Sequence, residues 1–582
     1  MRKIILILLF LFLLPKISIA FNPKLIKELR AEIVKEGKLL ISGRIKEINL
    51  FLYIPQEGLE RVEVYPNNFE LVKDKFGNEM IKIKILNPSS AEIPYKVKFI
   101  VRIKEKDVKN AEIAFNYSHF LKRTSLTDWN RKIEAIAYGK ETLEQKVSRL
   151  VRWIKNNLKY EINPLSQITK SSLETFHNKR GACGEFSNLL TAFLRSQNIP
   201  VRYVVGFAIP SEELNTSQFW SHAWIEVLMH GKWIPIDPTW IEGGYLDATH
   251  IKLANLLDSN FTESLSYKGW GSVEWLPKKP TLKILDLKEK TLNFTVESPI
   301  KVFGDSVFLI NLTNLDKEGL YSINLISCVD ESGKSLFKIF SPKRILWLKN
   351  GDKIFWIVKA PKVSKFERLI CPITLIVNGK IVKQIPLRVE GEKEIVEIAS
   401  LNKSLPVGEI YEMKVKKRGI FFSDFSSLFK EDYKLKFQMP AIGNFNFYFY
   451  SPEGWARFSF SSYEKLSFKI ENLTYNLTNS NLTLSFFLIN LDSKPTLTTF
   501  KILLNGNEIL RERVNVIRKV FIQKRIILKE GCNLLRIEVK DNIPNYEEFI
   551  VCIEKKKAEG FLKKFINYIS AILNFLKRLI RM

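Results

Sequence analysis

Cysteine and histidine are scarce in this chain, with five of each among 582 residues. No two cysteines form a C-x-x-C pair and no H-E-x-x-H occurs, so a ligand set for a metal is missing, and neither metal nor cofactor is expected. Long apolar runs are absent too. The uncharged stretches Ile4 to Leu14 and Phe565 to Leu576 fall short of the ~20 residues that cross a bilayer. Acidic residues are outnumbered, 62 against 90 basic ones, which leaves a formal net charge of +28.

What is present reads as a large exported globular chain. Hydrophobic residues make up 46% of it, enough to bury several cores, and the length suggests about three to five domains. Arg2 and Lys3 precede the first apolar stretch, and Ser18-Ile19-Ala20 sets small residues at the usual cleavage positions. Residues 1–20 therefore read as a secretory signal; an uncleaved anchor would change tethering but not compartment. Outside the cytoplasm the positive charge points to anionic lipid head groups or acidic wall polymers and away from nucleic acid, unless it only solvates a lysine-rich surface.

The chemistry-bearing stretch runs from Gly181 to Trp240. Phe186, Leu189, Leu190, Phe193 and Leu194 recur at helical spacing and predict an amphipathic helix that stops before Pro200. Gly181, Ala182 and Gly184 leave Cys183 uncrowded at its first turn, where unpaired N–H groups and the positive end of the helix dipole favour a thiolate. Val201 to Phe207 reads as a strand, and Ser221 to Leu228 with Trp233 to Ile236 as a hairpin turning at His230 and Gly231. A pairing centred on that turn sets Asp237 opposite His222 or Trp224, and either register puts His222 and Asp237 on one face.

Cys183, His222 and Asp237 then have the makings of a nucleophile, its base and the carboxylate that orients the base. Trp224, on the same face, is expected to wall the substrate cleft against water. Taken singly, a cysteine at a helix start is usually inert packing and a lone histidine is a core residue. The order and spacing of all three argue for a site.

The blocks RGACGEFSNLLTAFLRSQNIPVRYVVGF, SHAWIEV and GKWIPIDPTW together resemble the core of the transglutaminase-like superfamily. The resemblance implies Cys183 as nucleophile, His222 as base and Asp237 as its orienting partner, on a papain-like α+β core of helices packed against an antiparallel sheet. It covers Asp128 to Glu274, and LVRWIKNNLKY is similar to the family's lead-in helix. No side chain corresponds to an oxyanion-hole donor, which leaves the backbone N–H of Cys183 as the candidate.

The expected class is thus multidomain, an α+β transglutaminase-like core flanked by β-sandwich (Ig-like) domains. Ile81, Ile83 and Ile85, and Tyr95, Val97, Phe99, Val101 and Ile103, alternate with polar residues, predicting an N-terminal β-sandwich over 21–125 with one solvated face. The core is placed at 126–277. Within it Thr142 and Gln145 form a capping box ahead of the stripe Leu143, Val147, Leu150, Val151 and Ile154, and Ser171 with Glu174 caps a second short helix. Asn378-Gly379 and Asn505-Gly506 are type I′ hairpin signals, and FLINLTNLD at 308 and FLINLD at 487 make a partial repeat. These predict Ig-like sandwiches at 278–398 and 458–556, with a β-rich region of unassigned fold at 399–457 between them.

Cys328 and Cys371 fall in one predicted sandwich and Cys532 and Cys552 in the other. In an exported protein these four can close two disulfides, and pairing within each module needs no contact between sandwiches; the alternative is four buried thiols. Nine N-x-S/T sequons, at Asn116, Asn215, Asn260, Asn293, Asn311, Asn402, Asn472, Asn476 and Asn481, fit surface glycosylation, and a glycan on Asn215 would shade the cleft. Residues 557–582 form a basic amphipathic helix suited to a membrane surface, or to packing on its own domain or another copy. The expected activity is attack on an amide or peptide bond of a protein substrate at the cell surface through an acyl-thioester. Hydrolysis is favoured, because the resemblance is to the broad superfamily and not to its calcium-dependent cross-linking enzymes. The alternatives are transamidation and a noncatalytic adhesion or assembly scaffold.

Overall fold

The structure is a computed structural model, and it describes residues 22–109, 111–114, 117–162, 169–210, 219–364, 367–392, 397–492, 494–541 and 543–553. The secretory signal at 1–20, the sequons Asn116 and Asn215 and the helix at 557–582 lie outside the described residues. The chain divides after Tyr463 into two compact units.

The first unit begins with β1, a single strand from Ile26 to Tyr53. It is followed by β2 (Leu59–Tyr65), β3 (Phe69–Lys73), β4 (Glu79–Leu86) and β5 (Glu92–Lys104). The alternation read from the sequence is present: Ile81, Ile83, Val97, Phe99 and Val101 are fully buried. At 28 residues, β1 is far longer than the strands beside it, so β4 and β5 cannot pair all of it. The seven-stranded sheet is completed by β13 (Ser264–Pro277) and β14 (Thr281–Glu289), both antiparallel to β1. The boundary drawn at 277/278 is corrected accordingly: residues 264–289 belong with the N-terminal sheet.

Between these two halves of the sheet lies the core. Helices α1 (Arg131–Ala137), α2 (Leu143–Asn157), α3 (Ser172–Asn178) and α4 (Cys183–Ser196) come first. Both expected capping boxes form, Thr142 with Gln145 and Ser171 with Glu174. The strands follow as β8 (Val201–Ala208), β9 (Trp220–Met229), β10 (Lys232–Asp237), β11 (Glu242–Gly243) and β12 (Ile251–Leu256), after two short parallel pieces, β6 (Lys159–Tyr160) and β7 (Arg180–Gly181). Their sheet runs β11-β10-β9-β8-β12. The hairpin turns where expected, with φ of 50° at His230 and 76° at Gly231.

Two apolar layers enclose this sheet. Val147, Leu150, Val151, Leu189, Leu190 and Phe193 of α2 and α4 pack with Ile225, Val227, Ile234 and Ile236. A second cluster joins Tyr203, Phe207, Ala223 and Ile251 to Leu29, Ile33, Leu50, Ile81 and Phe99 of the N-terminal sheet. At the far end of α4, Arg195 ties helix to strands: it donates to Lys122 O and Thr127 Oγ1 at 2.9 and 3.0 Å, and to Val201 O and Leu257 O at 2.7 Å each.

Beyond the core, a four-stranded and a five-stranded sheet share one apolar interior around Ile310, Leu312, Ile323, Trp356 and Leu375. The region left unassigned at 399–457 is a five-stranded sheet built on Phe421, Phe445, Phe447, Phe449, Phe458 and Phe460. Its strand Gly454–Tyr463 crosses the boundary drawn at 457/458, which moves to the division after Tyr463. The second unit is a three-stranded and a four-stranded sheet around Leu484, Phe486, Phe500 and Ile537.

The partial repeat has a structural meaning in each unit. Asn314 Oδ1 accepts from Asp316 N at 3.0 Å, and Asn490 Oδ1 accepts from Asp492 N at 2.9 Å, so N-L-D closes a strand end both times. Both Asn-Gly pairs turn hairpins with positive φ, 50° and 81° at Asn378-Gly379 and 52° and 84° at Asn505-Gly506. Cys328 is bonded to Cys371 and Cys532 to Cys552, leaving Cys183 as the one free cysteine. Among the described residues no helix is long and apolar enough to cross a membrane.

Gly206, opposite His222 on β8, tests the packing of the core. A Cβ there would stand 2.1 Å from Ile251 O and 2.8 Å from Trp224 Cη2, neither of which can yield without moving a strand or a core indole. Gly206→Ala is expected to cost about 1–3 kcal/mol, read as a lowered midpoint in urea denaturation.

Candidate active site

Cys183 opens α4, following Ala182 at the cap. The start of the helix is fixed by Glu185, whose Oε2 accepts from Ala182 N at 2.9 Å and whose Oε1 accepts from Lys170 N at 3.0 Å. Gly181 is needed for that fit, since a Cβ on it would lie 2.5 Å from Cβ of Glu185. The thiol is half-buried and lines a cleft of about 630 Å³ together with Arg180, Tyr203, Phe207, Leu253 and Phe261.

His222 lines the same cleft. The β9–β10 register pairs Ile236 with Ile225, so the second of the two expected registers holds, with Asp237 across from Trp224. His222 Nε2 and Asp237 Oδ2 are 3.0 Å apart. Cys183 lines the cleft beside His222 and is the other side chain that acts on the imidazole. The three predicted residues are neighbours in the order thiol, imidazole, carboxylate.

Charge and burial decide the protonation of this pair. Burial works against a charged His222, but the Asp237 carboxylate and the Cys183 side chain outweigh it, and His222 is raised to about 9. Burial likewise pushes Asp237 up, yet His222 holds it far below the usual carboxylate range. Asp237 Oδ1 accepts from Thr239 N at 2.7 Å, which fixes the carboxylate in the turn after β10. Tyr160 and Tyr203 are pushed up by burial first and by the charge of Cys183 second, so both phenols stay neutral beside the thiol.

Trp224 needs correction. It is fully buried and stands behind His222, rings 6.1 Å apart, so it is not on the cleft wall. Alternation along β9 puts it on the face of His222, but that face is covered by the chain after β10. The residue that stacks on the imidazole is Trp240, with centroids 3.9 Å apart and planes within 3°. Sequence reasoning quoted Trp240 within the motif without giving it a role.

It also missed a second histidine. His250 lies edge-on to His222, Trp224 and Trp240, at 5.6, 5.2 and 5.6 Å. Its Nε2 is 3.5 Å from Asp237 Oδ2 and its Nδ1 3.5 Å from Asp247 Oδ2, and Glu242 is buried beside it. The ligand-type atoms of His222, Asp237 and His250, and of Glu242, Asp247 and His250, lie within 4.8 Å of one another. Each nitrogen of His250 thus faces a carboxylate oxygen of its own. A signal was present in the sequence: Asp237-Pro-Thr239 and Asp247-Ala-Thr249 repeat the same Asp-x-Thr turn, with His250 directly after the second.

The comparisons with known proteins meet this geometry at the core. Residues 131–238 match the transglutaminase-like superfamily. They form a transglutaminase-like core. An uncharacterised protein of Mycobacterium leprae is 30% identical over 148 residues, which is 24% of this chain and 52% of that protein, so the chain spans about half the length of the curated relative it matches. Among solved structures, a candidate cysteine protease from Cytophaga hutchinsonii is 20% identical, covering 45% of this chain and 93% of that one, with a TM-score of 0.33. Red sea bream transglutaminase is 10% identical, covering 90% of this chain and 93% of its own, with a TM-score of 0.18. At scores this low neither likeness bears on the arrangement of the whole chain.

The transglutaminase-like core carries a pH signature. His222 sits at about 9 in the folded chain against ~6.5 when exposed, so between those values the folded state holds the extra proton. The stabilisation is complete below pH ~6.5 and is lost as pH rises through about 9. Thermal denaturation across this window is expected to show a falling midpoint, and His222→Gln a shallower fall.

Proposed function

We propose that the protein is an exported thiol enzyme that attacks amide or peptide bonds, with Cys183 as nucleophile, His222 as base and Asp237 as the carboxylate that orients it. One observation carries this reading: the cleft lined by the Cys183 thiol is also lined by His222, whose Nε2 is 3.0 Å from the buried Asp237 carboxylate. The thiolate adds to the substrate carbonyl, and the imidazolium gives its proton to the departing amine, leaving an acyl-thioester. Water, activated by the neutral imidazole, then releases the acid and restores the thiol. Hydrolysis is the favoured outcome. An amine entering in place of water would make the enzyme a transamidase.

Export is supported by the two disulfides, which persist in oxidising compartments. The sequons Asn260, Asn293, Asn402, Asn472, Asn476 and Asn481 are exposed, while Asn311 is half-buried and donates to Glu297 at 2.8 Å. The substrate in this reading is a protein or peptide at the cell surface, with residues 557–582 as the contact to a membrane face. A second reading, a noncatalytic scaffold, draws on the β-sheet layers beyond the core, which offer binding surfaces independent of Cys183.

Alkylation of the chain without reductant, followed by intact mass, tests the thiol. One adduct is expected, forming rapidly at pH well below the ~8.5 of a free cysteine and slowly in His222→Ala. Cys183→Ala is expected to abolish release of peptides from a proteome-derived library, or amine incorporation if that is the reaction. Slow labelling with an ordinary thiol profile, and turnover untouched in Cys183→Ala, would move the assignment to the scaffold.

A further inference from the structure

The proposed triad ends on Asp237, but the buried polar chain does not. Asp237 Oδ1 is held by Thr239 N and Asp247 Oδ1 by Thr249 N, each at 2.7 Å. Two identical turns thus leave two Oδ2 atoms pointing at one ring. His250 meets them with one nitrogen each, both at 3.5 Å. A neutral imidazole has a single N–H and would set its lone pair against one carboxylate; only the imidazolium offers a donor to both.

The atoms around the ring support the same count of protons. Asp247 Oδ2, His250 Nδ1 and Glu242 Oε1 are buried without a hydrogen bond of ordinary geometry, a costly state for any of them alone. Glu242 Oε2 accepts from Asp247 N at 3.0 Å, which brings the third carboxyl to the cluster. Burial and the neighbouring Asp247 push Glu242 up to about 8. Burial opposes a charge on His250, but Asp247 and Asp237 override it and raise it to about 10. Protons on Glu242 and on both His250 nitrogens convert facing acceptors into donor–acceptor pairs. The charged or titratable groups that face His250 are Asp237 on β10, Glu242 on β11, Asp247 in the following turn and His222 on β9, with Lys24 acting on Glu242.

We infer that His250 is a positioning residue: clamped as an imidazolium between Asp237 and Asp247, it fixes the Asp237 carboxylate that receives the Nε2–H of His222. This rests on the thiol-enzyme reading for its consequence, though not for its geometry. Asp237 Oδ2 then has two cationic neighbours, and its rotation away from His222 would strip both. The effect on Cys183 is indirect, through the tautomer and angle of His222.

The test uses the full chain labelled with ¹⁵N-histidine, the His250 signals being assigned by their loss in His250→Gln. Both ring nitrogens of His250 are expected to carry protons from pH 6 to about 9; a lone-pair nitrogen at pH 7 overturns the inference. Alkylation of Cys183 by iodoacetamide at pH 6 is expected to slow by about tenfold or more in His250→Gln, the scale seen when an orienting partner is lost, and to slow also in Asp247→Asn. Folded variants that react at the wild-type rate overturn it. Should wild-type Cys183 itself label slowly at pH 6, the thiol-enzyme reading fails and the histidine spectra alone decide the clamp; they decide equally if His250→Gln does not fold, the His250 signals then being those left after single replacement of the other four histidines. One equivalent of tightly held metal in the purified protein would make the cluster a metal centre and overturn the clamp.

Discussion

The contact on which the rest depends is the 3.0 Å pair between His222 and Asp237. Both side chains are almost wholly out of water, at 2% and 0% exposure. Removing two charges from solvent is costly, and deleting one partner of such a pair typically costs about 3–5 kcal/mol because the other stays buried and uncompensated. The surroundings supply what solvent would have supplied: the Thr239 N–H on Asp237, the Trp240 face on the imidazole and His250 beyond. An ion pair kept this dry keeps its strength, since little water or salt reaches it. The free Cys183 thiol, half-buried in the cleft, stands at the wetter side of this pair.

The architecture around the pair follows from keeping it dry on all sides but one. Helix α4 and α2 close one face of the β8–β12 sheet and the N-terminal sheet closes the other. Leu320, Ile345 and Trp347, from the sandwich that follows in sequence, join the helical cluster. Gly206, opposite His222, leaves the room that the edge of the Trp224 indole occupies. The cleft opens where α4 begins, so the half-buried Cys183 thiol lies at its edge while the buried His222 is approached only along it.

How much of this could be read in advance depended on the range of each interaction. Helix α4, both capping boxes and the Asn-Gly hairpins are local, and their residues state them outright. His222 and Asp237 were legible as a pair because a two-residue strand period and one hairpin turn link them. Trp224 shared their face, but alternation says which face and not what covers it, and here the turn carrying Trp240 and His250 covers it. His250 was missed because it comes back to Asp237 only through β11 and a second Asp-x-Thr turn, a path with no fixed period. The aromatic sheet at 397–463 pairs its first strand with its last in parallel, and no local pattern announces such a crossover. The same holds for β13 and β14, whose partner β1 opens the unit more than 200 residues earlier.

That last pairing bears on how the protein is made. Lys288 and Glu28 meet at 3.1 Å across β14 and β1, although they are 260 positions apart in sequence. A ribosome releases β1 long before the strands that will cover its edge exist. Throughout that interval a long strand carrying Leu39, Ile41, Ile48 and Leu50 offers open N–H and C=O groups to any passing chain, including another copy. Arg30, Glu32, Glu36 and Lys38 recur along the half-buried side of β1, and charges so placed disfavour pairing of an open strand with the wrong chain.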